Sequence, residues 1–132
     1  MVYSSDLYPA HRSTGNPDNP FERETIYSFD IRLTNGDEYR IDKHFFTDLA
    51  TVPRFLWGVI SPWGRDELAF IVHDWLLEYK KKDYSKKFID QQMYEFQKLV
   101  GVGPLRAKIM YEGVRKFGGI YHYFFESGGL KK

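Results

Sequence analysis

The stretch "DELAFIVHDWLLEY", residues 66–79, carries the reading of the fold. Leu68, Ile71, Val72, Trp75, Leu76 and Tyr79 recur at i, i+3, i+4 spacing, the signature of a helix with one buried side. Phe70 and Leu77 lie on the other side, so the spacing predicts a helix covered all round. Into this apolar segment the chain sets two ionisable neighbours, His73 and Asp74. A carboxylate withdrawn from water costs several kcal/mol unless it is paired, protonated or metal-bound, so the pair needs a partner. Successive helical residues are 100° apart, which places both on the flanks of the Phe70/Leu77 side.

The elements downstream are helical too. "KKKDYS" closes the first helix, Ser85 is suited to cap the next, and Ile89, Met93, Phe96 and Val100 form its apolar stripe. "GVGP" turns the chain, with Pro104 suited to a first helical position. A third helix is expected over Leu105–Phe117, burying Ile109, Met110, Val114 and Phe117 and ended by Gly118 and Gly119. Upstream the period changes. "TIYSFDIRL" alternates, and Asn35-Gly36 offers the positive φ angles of a type I′ turn, so Glu24–Leu33 is expected to pair with Glu38–Ile41 as a hairpin. "DKHFFTDLATVPR" has neither period and reads as a loop, after which Pro53 can open a short helical turn, "PRFLWGVI". The fold class is therefore α+β: an N-terminal arm and β-hairpin, an irregular loop, then three packed helices. Residues 1–132 form a single domain, with 1–19 an extended arm, 24–118 the globular body and 119–132 an aromatic tail containing "IYHYFFE", which packs on the domain or on a partner.

Bulk properties exclude several classes. With 19 basic and 18 acidic residues in 132, no global field draws the chain to nucleic acid. No segment approaches the roughly 18 unbroken apolar residues of a membrane span, and the first residues lack the pattern of a secretory signal. Cysteine is absent, which excludes disulfides and fits a reducing compartment. The basic run Lys80–Lys82 reads as a solvated helix end.

Two further carboxylates can join the His73-Asp74 pair: Asp90, beyond the margin of the second helix's stripe, and Asp48 in the irregular loop. An imidazole oriented by a carboxylate is suited to proton transfer near neutrality. Carboxylates with backbone carbonyls are hard ligands for Ca²⁺ or Mg²⁺. The same residues read equally as a brace tying helix to helix and loop, with Asp48 an Asx-turn residue.

The succession "FTDLATVPRFLW", "PWGR", "VHDWLL", "IDQQM" and "RAKIMYEGVRKFG" resembles the phage and prophage proteins grouped as domain-of-unknown-function family 1353. This implies a small phage-encoded protein made in the host cytoplasm and destined there or for the virion, with other phage proteins as partners. A fainter resemblance is to phospholipase A2, in which a helix carries His-Asp and a neighbouring helix returns an Asp. That likeness implies His73 as the water-activating base, Asp90 as its orienting partner, Asp74 as a Ca²⁺ ligand with Asp48 available beside it, and a lipid substrate. The sequence departs from that pattern at Leu77, where a tyrosine is usual, and in lacking a glycine-rich calcium loop before the helix.

Two functions are thus expected: a hydrolase of His-Asp type, or a non-catalytic virion or tail component in which the cluster is a buried brace. A metal-dependent phosphohydrolase using His44, His73, Asp74 and Asp90 ranks below both, because His44 follows a strand whereas that class draws its ligands from helices.

Overall fold

A computed structural model describes residues 1–18, 22–47 and 66–118, with Phe117 and Gly118 described for their backbone only. Asp48, the helical turn at Pro53 and the aromatic tail lie outside the described residues. The chain forms strands β1 (Tyr3–Ser4), β2 (His11–Ser13), β3 (Arg23–Thr25), β4 (Phe29–Arg32), β5 (Glu38–Ile41) and β6 (Phe46–Thr47). Helices α1 (Glu67–Tyr79), α2 (Lys86–Leu99) and α3 (Pro104–Gly113) follow, and a π-helical turn, Val114–Gly118, continues α3. The α+β class read from the sequence is the class observed.

Two antiparallel three-stranded sheets are present among the described residues, ordered β1-β4-β5 and β2-β3-β6. The strand expected over Glu24–Leu33 is therefore divided. Thr25, Tyr27, Phe29 and Ile31 share one parity and would face one side of a continuous strand. Thr25, Phe29 and Ile31 are buried, yet Tyr27 is 66% exposed, so the chain bends at Ile26–Ser28 and changes sheet. The paired half of the hairpin stands as expected, with Phe29 opposite Ile41 and Arg32 opposite Glu38.

Its turn is different from the one expected. Only Gly36, at φ 94°, has a positive φ; Asn35 does not. Gly36 N–H donates to Leu33 C=O and Leu33 N–H to Asp37 C=O, leaving a three-residue loop closed by a left-handed glycine. The Asn35 side chain is engaged with Asp37, accepting from its N–H at 3.0 Å in an Asx turn.

The extended arm expected at residues 1–19 contributes one short strand to each sheet. β1 lies against β4 and β2 against β3. Composition concealed this because both pieces are short and only one side chain in β1, Ser4, is buried.

The helices follow the sequence closely. Ser85 caps α2, its hydroxyl accepting from Phe88 N–H at 3.1 Å, and Ile89, Met93, Phe96 and Val100 are buried. α1 is covered on both sides, with Leu68, Ile71, Val72 and Leu76 buried and Phe70 and Leu77 buried as well; Tyr79, at 60% exposure, is the departure. On α3 the inward residues are Ala107, Met110 and Gly113, continued by Val114. Ile109, expected inside, is 43% exposed because it lies two residues, or 200°, round from Ala107. The core is the space between the α1–α2 hairpin, α3 and the inner face of β4-β5, filled by Phe29, Ile31, Leu33, Ile41, Phe70 and Phe96 among others. No helix among the described residues is long and apolar enough to cross a membrane.

Candidate active site

α1 and α2 run antiparallel through a short connection, so a residue near the middle of α1 meets one near the start of α2. His73 and Asp90 meet in this way. His73 Nε2 lies 2.7 Å from Asp90 Oδ1, with both side chains 0% exposed. A carboxylate only accepts, so Nε2 carries the proton of this bond. His73 Nδ1 stands 3.9 Å from Asp74 Oδ1, too far for a hydrogen bond, and Asp74 acts on the ring through its charge. Asp74 itself accepts from the Thr47 hydroxyl, which joins β6 to α1.

The second oxygen of Asp90 is occupied. Lys86 Nζ reaches Oδ2 at 2.6 Å and Arg115 Nη1 at 3.1 Å. Lys86 also donates to Val114 C=O at 3.1 Å, so one carboxylate gathers α1, α2 and the π-helical turn. These two cations were not singled out in the sequence. Lys86 was legible as the i, i+4 partner of Asp90 on one helix face; Arg115 was not, because nothing local ties the end of α3 to α2.

Electrostatics follow from this packing. Burial by itself lowers the pKa of His73, but Asp74 and Asp90 outweigh it and leave the pKa raised. For Asp90, burial raises the pKa, and His73 together with Lys86 reverses this to leave it lowered. Both shifts stabilise the ionised pair. A raised imidazole pKa contributes stability that is complete below its unfolded value, about 6.5, and is lost as pH rises through the folded value. A lowered carboxylate pKa contributes stability present above its unfolded value, about 3.9, and lost as pH falls through the folded value. The melting temperature should therefore be highest between about pH 4 and 6.5 and fall on both sides. A His73→Gln variant that keeps the alkaline limb of this profile unchanged would assign that limb elsewhere.

Of the residues singled out in the sequence, the structure brings His73, Asp74 and Asp90 together, and Asp48 lies outside the described residues. His44 is engaged elsewhere, with Nδ1 2.8 Å from Glu24 Oε2. Among the described residues no group of three or more His, Asp or Glu side chains is placed to hold a metal, and Asp48, expected beside Asp74 in a calcium site, lies outside them. Asp90 is already bound by cations.

By fold and site this is an α+β protein whose helical hairpin buries a histidine–carboxylate contact. The sequence matches the family described as "Protein of unknown function (DUF1353)" over residues 24–114, and the chain belongs to that family. No curated protein and no solved structure matches it.

Proposed function

We propose that the chain is a phage-encoded accessory protein whose His73–Asp90 pair serves a phospholipase-type ester hydrolase. The contact between Nε2 and Asp90 supports this reading. With the proton held on Nε2, the neutral ring offers Nδ1 as the base, on the side of Asp74. In that role Nδ1 takes a proton from water, the oxygen attacks the ester carbonyl, and the proton passes to the departing alcohol. Because the ring pKa is raised, the rate should climb with pH as the imidazole loses its proton.

A second reading has its own support. The complete burial of His73 and Asp90, and the capture of Asp90 Oδ2 by Lys86 and Arg115, suit a brace in a non-catalytic virion or tail component. Hydrolysis of phosphatidylglycerol vesicles, with and without added calcium, separates the two. For a hydrolase, His73→Ala should cost about 10² to 10⁴ in rate. The same variant should lose about 2 kcal/mol in stability in either case, because Asp90 keeps two of its three partners. No hydrolysis by the parent protein under either condition would remove the enzyme and leave the brace.

A further inference from the structure

At the β5–β6 connection a cleft of about 280 Å³ is lined by Arg40, Asp42, Lys43, His44, Phe45, Trp75 and Tyr79. One wall is aromatic. Trp75 and Tyr79 pack at 5.5 Å between ring centres and Phe45 and Tyr79 at 6.1 Å, while Tyr39 backs Trp75 at 5.3 Å. The other wall carries Arg40, Lys43 and His44 together with the exposed carboxylate of Asp42. Arg40 is held by Asp30 and His44 by Glu24, whereas no carboxylate among the described residues lies within ion-pair range of Lys43. A further cation, Lys80, sits 4.7 Å above the Tyr39 ring at the same end of α1.

The backbone here is held at a cost. His44 has φ 70°, in the left-handed region that residues with a side chain rarely adopt. It is imposed by Thr25, whose C=O accepts from His44 N–H at 2.7 Å and whose hydroxyl bonds Asp42 C=O and Phe45 N–H. Strain maintained by so many bonds at the wall of a cleft is a pointer to function.

We infer that this cleft binds a phosphate ester with an apolar body, Lys43 meeting the phosphate and the Trp75–Tyr79–Phe45 wall the apolar part. An aromatic wall rimmed by lysine favours a ligand that is anionic at one end and apolar at the other. The placement deepens the hydrolase reading and rests on it for the choice of ligand. Phe45 lines the cleft and Thr47, two residues further on, bonds Asp74, while Trp75, the neighbour of Asp74 in α1, lines the cleft as well.

Binding can be measured apart from hydrolysis. The full chain is sedimented with phosphatidylglycerol or phosphatidylcholine vesicles, and, in a second arm, titrated with monomeric dihexanoyl phosphatidylglycerol while backbone amide shifts at residues 42–45 are followed. Lys43→Glu and Tyr79→Ser test the two walls; both side chains are exposed, so folding should survive. Lys87→Glu, an exposed residue on α2 outside the cleft, makes the same change in net charge. The expected result is a roughly tenfold or greater loss for Lys43→Glu, a loss for Tyr79→Ser, and none for Lys87→Glu. Vesicle binding identifies a bilayer lipid as the source of the ester; shifts from the monomeric ester alone identify a soluble one. Binding in neither arm, or equal loss in Lys43→Glu and Lys87→Glu, overturns the cleft. Binding that depends on Lys43 without any hydrolysis overturns the hydrolase and keeps the cleft, and hydrolysis indifferent to Lys43 does the reverse.

Discussion

Replacing Asp90 with alanine should lower the unfolding free energy by about 3–5 kcal/mol, read from denaturant or thermal unfolding of the variant against the parent. Three groups lose their acceptor at once: His73 Nε2, Lys86 Nζ and Arg115 Nη1. The lysine and arginine are about a quarter to a third exposed, so water partly replaces what they lose. His73, fully buried, has no such replacement. It must stay neutral with an unmade hydrogen bond, or shed its proton on folding, and either costs free energy. Asp90→Asn keeps the shape and one acceptor oxygen but removes the charge, so its effect should fall between parent and alanine. A loss under about 1 kcal/mol for Asp90→Ala would mean that the cluster contributes little beyond an apolar filling of the same volume.

Phe70→Ala should cost a similar amount, about 3–5 kcal/mol. Phe70 lies on the side of α1 away from the Leu68–Ile71–Val72 stripe and is 1% exposed. Its loss removes a large apolar side chain from a fully enclosed position, and the cavity cannot close unless neighbouring elements move. A helix with one open side would tolerate the change at well under 1.5 kcal/mol. Unfolding midpoint and slope together check the expectation, since an altered slope would report a changed denatured state instead of a cavity.

How far the sequence could be read depended on the range of the interaction. Ser85, the α2 stripe and the two-sided burial of α1 are local patterns, legible within one or two helical turns. The His73–Asp90 contact was nearly as legible, because two helices joined by a short turn have few ways to pack. The division of the first long strand was hidden: Ile26 and Phe29 are both apolar, but three residues apart they cannot share a strand face. Tyr27 carried the signal as an aromatic residue on the buried parity that nonetheless faces solvent. Arg115 and Thr47 reach the site from distant segments, and no spacing within α1 or α2 announces them.

The first thirteen residues have a consequence for assembly. β1 is the outermost strand of one sheet and β2 of the other, so a single short segment covers one edge of each. Remove it, and β4 and β3 each present a row of unanswered N–H and C=O groups to solvent. Exposed strand edges are templates on which a second chain can add. One stretch of chain is thus tied to both sheets, and a cut within it would bare the edge of β4 in one and of β3 in the other.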